Sequence, residues 1–129
     1  MSGLFTKIIK GEIPSYKIYE DEHTFAFLDI NPAAKGHTLV IPKNEIDLLW
    51  DLESKDYKAV MESAKLIAKS IQKSVGCIRV GMAVVGLEVP HAHVHLIPLN
   101  TMSDFSFSNK LKLSDSELKE IQEKIITNL

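Results

Sequence analysis

The chain has 129 residues, of which 45% are hydrophobic, so it is long enough for one domain, residues 1–129, with a buried core. Its formal net charge of −2, with no block of lysines or arginines, argues against nucleic-acid binding, and its apolar runs are too short to cross a bilayer. Cys77 is the only cysteine and residues 1–10 do not have the pattern of a secretory signal, so we expect a reduced, cytoplasmic protein without disulfides.

The first half of the chain predicts a short helix and three strands. Residues 4–10 have an amphipathic helical pattern, with Ser2 as a candidate N-cap and Gly11 at the end. Three short runs rich in β-branched and aromatic residues predict strands: residues 16–20, 24–28 and 37–41. Residues 21–22 form the turn between the first two strands, and residues 45–50 predict a short helical turn.

The second half predicts a long helix, two strands and a final helix. The long helix covers residues 54–74, with Ser54 as its candidate N-cap, and its apolar residues recur at helical spacing: Tyr57, Val60, Met61, Ala64, Ile67, Ala68 and Ile71. Strands follow over residues 78–85 and 89–99, and residues 100–113 predict a loop. A Ser-x-x-Glu capping box then opens a helix with one apolar face: Leu118, Ile121 and Ile125. This order of elements favours an α+β fold with a mainly antiparallel, five-stranded sheet.

The most informative segment lies in the last predicted strand, where three of the five histidines occupy alternate positions: His91, His93 and His95. Alternate side chains of a strand share one face, so the three imidazoles would line one face while the apolar residues between them pack on the other. Imidazoles titrate near neutrality, and a fold gains little by collecting them. The segment therefore predicts a site of chemistry rather than an exposed sheet face.

Three kinds of chemistry can use such a cluster. Neutral imidazoles can bind zinc, an imidazole nitrogen can attack phosphorus to give a phosphohistidine, or an imidazole can protonate a leaving group. Alternate Cβ atoms of one strand lie about 6–7 Å apart, so three histidines of one strand converge poorly on one metal ion. The spacing favours phosphate chemistry, in which the middle imidazole attacks while its neighbours contact oxygens on either side.

With this motif in view, the chain resembles the histidine triad (HIT) family of nucleotide hydrolases and transferases. Residues 91–97 match the family motif His-x-His-x-His followed by two apolar residues. Three further segments match in the family order: residues 5–14, 25–32 and 36–42. The resemblance extends from Leu4 to about Pro98 and implies the HIT fold.

The resemblance also implies a role for each of four histidines. His93 would be the nucleophile that takes up a nucleoside monophosphate, and the main-chain carbonyl of His91 would orient its imidazole. His95 would contact the phosphate and assist the leaving group, and His37 would lie near the same phosphate on the neighbouring strand. Histidine rather than glutamine at position 95 favours the hydrolase branch over the nucleotidyltransferase branch.

A nucleoside pocket is implied by the same resemblance. Asp29 would accept hydrogen bonds from the ribose hydroxyls, as a carboxylate can. The residues expected to bind the nucleoside with it are Phe5, Ile8, Phe27, Ile30 and Asn31. Ordinary alternatives stay open, because the aromatic and aliphatic members suit a hydrophobic core equally and Asp29 could stabilise a turn.

The chain departs from the family pattern in two places. Many bacterial relatives open with Cys-x-x-Cys, which helps to bind a structural zinc ion; Gly3 and Thr6 occupy these positions here, so we expect no such zinc site. Before the triad, a glutamine and a hydroxyl residue of the family are replaced by Leu87 and Glu88. A carboxylate at position 88 would repel phosphate unless protonated or paired, or could attract the positive amine of a phosphoramidate.

The resemblance, together with these features, implies a hydrolase that cleaves the P–N or phosphoanhydride bond of a purine nucleotide, either a nucleoside 5′-phosphoramidate or a dinucleoside polyphosphate, through a nucleotidyl-histidine. The scheme needs no cofactor and no metal, and we expect no nucleic-acid or membrane partner. The resemblance implies a homodimer that pairs through the long helix and the strand at residues 78–85. Two alternatives stay open: a histidine-ligated metal hydrolase, and a nucleotide-binding regulatory protein with little turnover.

Overall fold

The computed structural model describes residues 3–129. These residues form three α-helices and five strands, in chain order α1 Leu4–Ile9, β1 Lys17–Glu20, β2 Thr24–Leu28, β3 Thr38–Pro42, α2 Ser54–Val75, β4 Arg79–Ala83, β5 Val94–Leu99 and α3 Asp115–Thr127. Short 3₁₀ helices lie at Leu49–Asp51 and Met102–Asp104. Across this described part of the chain, no helix has both the length and the apolar character needed to cross a membrane.

The strands form one antiparallel sheet in the order β1-β2-β3-β5-β4. With the three helices this is the α+β fold that the sequence predicts. The connection between β1 and β2 is held by Asp21, whose Oδ1 accepts hydrogen bonds from the backbone N–H groups of His23 and Thr24 at 2.9 and 2.8 Å. Since β5 lies between β3 and β4, the strand that contains His95 is central in the sheet.

One face of the sheet packs against α2 and α3. Of the seven residues predicted on the apolar stripe of α2, Tyr57 is 37% exposed, two are partly buried, and four are fully buried: Val60, Ala64, Ile67 and Ile71. The stripe packs on residues from the centre of the sheet, among them Val40, Val94 and Leu96. The helix α3 contributes the three residues predicted on its apolar face, Leu118, Ile121 and Ile125. The Ser70 hydroxyl of α2 donates a hydrogen bond to the carbonyl of Ile125, which links the two helices.

The opposite face of the sheet has a second apolar cluster beneath α1. Phe5 and Ile8 of α1 pack on side chains from β2 and β3: Phe25, Phe27, Leu39 and Ile41. Because both faces are covered, every residue of β2 and β3 is buried. Leu39 is the cross-strand partner of His95, so the His95 side chain projects from this second face.

The histidine strand is shorter than predicted. β5 begins at Val94, so His91 and His93 lie in the segment before it, and the prediction that all three histidines share one strand is wrong. The Ala92 N–H donates a hydrogen bond of 2.7 Å to the carbonyl of Ile46. That contact holds the backbone against the loop at residues 43–52.

The predicted helix caps also differ from the structure. Ser54 is the first helical residue of α2 and Glu53 is its N-cap, so the prediction for Ser54 is wrong. The helix starts one residue early because the Tyr57 N–H already bonds to the carbonyl of Glu53 at 2.9 Å. Ser2, the predicted cap of α1, lies outside the described residues, and Gly3 occupies the N-cap position. The Ser114 capping box of α3 is confirmed.

Smaller boundary differences occur in three segments. β4 ends at Ala83, opposite His95, where the sequence predicts a strand to residue 85. The helical turn predicted over residues 45–50 lies at 49–51. The predicted 100–113 loop contains a 3₁₀ helix, which a capping box between Thr101 and Asp104 stabilises.

Gly36, which precedes β3, is a position where the backbone requires glycine. Its φ is +102°, and a Cβ there would lie 3.2 Å from Val75 Cγ1 and 3.3 Å from Pro98 Cγ. We expect Gly36→Ala to lower the free energy of unfolding by about 2 kcal/mol, because backbone strain adds to crowding. Urea denaturation measures the change.

Gly11→Ala is the matched control for this substitution. Gly11 also has a positive φ, +78°, but within residues 3–129 no atom lies within 4 Å of its added Cβ. It should lose less stability than Gly36→Ala. Equal losses in the two variants would contradict the contribution of Val75 and Pro98.

Candidate active site

A cleft of about 540 Å³ opens on the sheet face that α1 covers. We call it the histidine cleft, because His93 and His95 line it. The other residues predicted for the site that line it are Phe5, Ile8, Phe27, Asp29, Ile30, Asn31 and Glu88. The two remaining predicted histidines, His37 and His91, are buried at 2% exposure and contact the lining histidines. The structure thus brings the predicted residues to one place.

The orientation of His93 is set by a backbone carbonyl. His93 Nδ1 lies 2.7 Å from the carbonyl oxygen of His91. A carbonyl can only accept, so Nδ1 carries the proton and donates it to this bond. In the neutral ring Nε2 then holds the lone pair, and it belongs to a side chain that lines the histidine cleft. This contact is the one that the family resemblance implies.

His91 is itself fixed by a second carbonyl. Its Nε2 lies 2.8 Å from the carbonyl oxygen of Pro42 and therefore donates a hydrogen bond to it. Its Nδ1 is buried and has no hydrogen-bond partner within residues 3–129. Burial lowers the pKa of His91, which favours the neutral ring. The imidazole thus acts as a tie between the residue 91 backbone and the end of β3.

His37 and His95 form a directional hydrogen-bond chain. The backbone N–H of Ala33 donates to His37 Nδ1 at 3.0 Å, so this nitrogen holds a lone pair. His37 Nε2 then carries the proton and donates it to His95 Nδ1 at 2.9 Å. In neutral His95 the remaining proton is on Nε2. The chain therefore supplies one N–H donor from a residue that lines the histidine cleft.

The two hydrogen-bonded histidines, His37 and His95, are both neutral at pH 7. Burial lowers the pKa of His37 from 6.5 to about 4, with a smaller contribution from the Lys110 ammonium. Burial, followed by the nearby His37 and His93, lowers the pKa of His95 to about 4 as well. Neutral rings are also what the tautomers require, since protonated His95 would point an N–H at the N–H of His37.

Aromatic rings hold the histidines from both sides. The Phe5 ring lies 5.2 Å from the His93 ring at an angle of 86°, and 5.4 Å from the Phe27 ring. On the other side, the Phe107 ring lies 4.9 Å from the His95 ring at 75°. These edge-on contacts restrict both imidazoles and keep apolar surface next to them.

The residues predicted to bind the nucleoside form the wall beyond His93. Phe5, Ile8 and Phe27 are buried in the second apolar cluster and also line the histidine cleft, so core and pocket wall are the same side chains. Ile30 is 59% exposed at the entrance. Asp29 Oδ1 accepts the Asn31 N–H at 2.8 Å, and its Oδ2 lies 3.8 Å from His37 Nε2. Asp29 therefore stabilises a turn through Oδ1 and also lines the histidine cleft.

The two departures from the family pattern have different structural settings. Leu87 and Glu88 both line the histidine cleft, and Leu87 is 88% exposed. At the positions of the Cys-x-x-Cys pair, the Gly3 N–H and the Thr6 hydroxyl donate hydrogen bonds to Glu45 Oε1 at 2.7 and 2.6 Å. A hydrogen-bonded carboxylate thus ties α1 to the 43–52 loop at these positions.

Three residues have ligand atoms close enough to hold a divalent metal. Ligand atoms of Asp29, His37 and His95 all lie within 4.8 Å of one another. Coordination by both imidazoles would need lone pairs on His37 Nε2 and His95 Nδ1. The Ala33 N–H already occupies the lone pair of His37 Nδ1, so the proton of His37 is held on Nε2. The arrangement therefore favours a hydrogen bond over a shared metal ion.

Sequence reasoning missed several contributors to this site, and three of them act on the histidines. Phe107 and Lys110 line the histidine cleft from the 100–113 segment, and the Ala33 N–H sets the tautomer of His37. Two phenylalanines inside a polar loop, Phe105 and Phe107, were the signal that this segment packs back against the folded domain. No local pattern marks Lys110.

Residues 10–102 match the sequence model of the HIT domain. An uncharacterized HIT-like protein of Borreliella burgdorferi is 38% identical, and the alignment covers 98% of this chain and 97% of that protein. Adenosine 5′-monophosphoramidase HNT1 of Saccharomyces cerevisiae is 41% identical over 74% of this chain and 61% of that protein. The crystal structure of a Hit-like protein involved in cell-cycle regulation from Bartonella henselae superposes with a TM-score of 0.89 at 32% identity, over 99% of this chain and 96% of that one. The histidine cleft thus lies in a matching fold and a matching sequence, and the chain belongs to the HIT family.

Proposed function

We propose that this HIT-family enzyme hydrolyses purine nucleotides at the α-phosphorus, cleaving a P–N or phosphoanhydride bond and releasing the nucleoside monophosphate. The observation that carries the proposal is the 2.7 Å bond from His93 Nδ1 to the carbonyl of His91, which leaves the Nε2 lone pair for attack. The yeast relative named as an adenosine 5′-monophosphoramidase supports the nucleotide as substrate.

The reaction would run in two displacements. His93 Nε2 forms a bond to the α-phosphorus, the bond to the leaving group breaks, and its electron pair departs with that group. An oxygen leaving group departs as an anion, and an amine takes a proton from water. A water molecule then attacks the phosphorus, the P–Nε2 bond breaks, and the water proton passes to solvent.

The remaining residues would position the substrate. The His95 Nε2–H would donate a hydrogen bond to a phosphate oxygen, with His37 holding His95 in the required tautomer. Asp29 would accept the ribose hydroxyls through Oδ2, since its Oδ1 is bonded to the Asn31 N–H. The base would lie against Phe5, Ile8, Phe27 and Ile30, and Asn31 and Glu88 would complete the lining.

The direct test is substitution of the proposed nucleophile. We expect His93→Ala to lower kcat for adenosine 5′-phosphoramidate by at least about a thousandfold, because the covalent route is lost. Release of adenosine monophosphate is measured with chelator present. The control is His23→Ala, a histidine outside the cleft, which should keep the wild-type rate.

Three outcomes separate the alternatives. Equal rates in wild type and His93→Ala would exclude the nucleophile assignment. Loss of wild-type activity with chelator would support a metal hydrolase. Tight nucleotide binding without product release would support a regulatory protein. After quenching and denaturation at alkaline pH, where the P–N bond of a nucleotidyl-histidine is stable, the wild type should carry one covalently bound nucleoside monophosphate, which intact-mass spectrometry detects.

The neutral histidines predict a pH dependence of stability. Both His37 and His95 have a pKa of about 4 when folded and 6.5 when unfolded, so the unfolded chain binds more protons between these values. Stability should therefore fall on acidification, by about 2 kcal/mol for each of the two histidines between pH 6.5 and 5. His37→Gln should show a smaller fall in urea denaturation at these two pH values. The same fall in both proteins would contradict the assignment.

We also propose a homodimer that pairs through β4 and α2. β4 is at the edge of the sheet, and exposed apolar side chains lie in it or next to it: Ile78, Met82, Val84 and Val85. An edge strand with exposed apolar residues is suited to pairing with a second copy. Leu66, 40% exposed on α2, would extend the same surface.

Light scattering after size-exclusion chromatography tests this pairing. The wild type should have twice the chain mass, and Met82→Lys should shift it to the monomer, because a buried charge at the edge is costly. Trp50→Lys, at a residue that is 73% exposed and outside the proposed interface, is the control and should stay dimeric. A monomeric wild type would overturn the proposal.

A further inference from the structure

The segment from residue 105 to 111 crosses the entrance of the histidine cleft and is anchored on two sides of Lys110. The Phe107 ring packs against His95 at 4.9 Å and against His37 at 6.3 Å. The Leu111 N–H donates to the carbonyl of Pro32 at 2.8 Å. Between these anchors, Lys110 lines the cleft.

Lys110 brings a positive charge to this entrance. Within residues 3–129 no carboxylate oxygen lies within ion-pair distance of its ammonium. After burial, its charge is a further cause that lowers the pKa of both His37 and His95. The ammonium is therefore near enough to act on the groups that would face a substrate phosphate, and it is free to bind an anion.

The hydrogen-bonded pair of His37 and His95 does not supply a proton to a leaving group. His95 is neutral, and loss of its Nε2 proton would have to be replaced through His37 Nε2. His37 could not recover a proton on Nδ1, because that nitrogen already accepts the Ala33 N–H. An amine leaving group needs a proton to depart, whereas phosphate or sulfate departs as a stable anion. An oxyanion leaving group is thus stabilised by a nearby positive charge, whereas an amine depends on a proton from water.

We propose that Lys110 binds the leaving group of nucleotides that release an oxyanion, a phosphate, polyphosphate or sulfate, and thereby raises the preference of the histidine cleft for them. This rests on the proposed function. In the first step the P–Nε2 bond forms, the P–O bond breaks, and the electron pair stays on the departing oxygen without proton transfer. The ammonium stays protonated and pairs with that oxygen.

The acidic residues of the cleft increase the need for a positive charge beside an anionic leaving group. Glu88 and Asp29 also line it, and both repel an anion, so Lys110 is the group in the cleft wall that can offset their charge. If Glu88 instead bound a positive amine, the preference would be reversed. Binding of an oxyanion by Lys110 and binding of an amine by Glu88 therefore predict opposite changes in leaving-group preference when the Lys110 charge is removed.

The test compares two substrates with the same nucleoside: adenosine 5′-phosphosulfate, whose sulfate leaves as an anion, and adenosine 5′-phosphoramidate, whose amine needs a proton. We expect Lys110→Met to lower kcat/KM for the phosphosulfate about tenfold and for the phosphoramidate less than about twofold. Lys110→Arg should restore most of the phosphosulfate rate. Lys112→Met, an exposed lysine that does not line the cleft, is the matched control and should change neither.

Binding to an inactive background makes the result independent of turnover. In His93→Ala, addition of Lys110→Met should weaken phosphosulfate binding about tenfold by calorimetry and leave phosphoramidate binding within about twofold. Equal losses for both ligands would overturn the leaving-group role and assign Lys110 to the shared α-phosphate. No loss for either would overturn it altogether. A wild type that hydrolyses neither of these substrates nor a dinucleoside polyphosphate would refute the proposed function, while the binding comparison would still decide the role of Lys110.

Discussion

The hydrogen bond from His93 Nδ1 to the carbonyl of His91 is the interaction on which the site depends. In a central strand that carbonyl would be used by a neighbouring strand. Here the segment before β5 is held elsewhere, by the Ala92 N–H on Ile46 and by the His91 imidazole on Pro42. The carbonyl is thus left for the side chain two residues along, and the late start of the strand is what orients the imidazole.

The second pair of histidines reaches a defined state by a different route. A backbone N–H at Ala33 fixes the tautomer of His37, and His37 then fixes that of His95. Burial keeps both rings neutral, which lowers stability in acid but preserves the direction of the hydrogen bonds from Ala33 through His37 to His95. The site therefore contains one lone pair on His93 and one N–H on His95, and each is set by a main-chain group whose own position depends on the fold.

Features set by local sequence could be predicted, and those set by distant contacts could not. The capping box at Ser114 and the apolar stripe of α2 follow from spacing within a few residues, and both appear in the structure. The start of β5 depends on bonds to a loop more than forty residues earlier, so periodicity alone extended the strand too far. Lys110 reaches the site because Phe107 packs on His95 and Leu111 bonds to Pro32, and no local pattern encodes these two contacts.

The end of the HIT domain match separates the residues proposed to react with the phosphorus from those proposed to bind the leaving group. The HIT domain match covers residues 10–102, which include His37, Asp29 and the three triad histidines, while Phe107 and Lys110 lie beyond it. A rigid sheet positions the reacting groups, and an exposed segment supplies the charge at the entrance, which is the usual arrangement when one scaffold serves several substrates. Because this segment packs directly on His95 and His37, a change in its sequence can alter leaving-group preference without moving the nucleophile. Substrate preference among relatives with the same triad is therefore better sought in this segment than in the histidines.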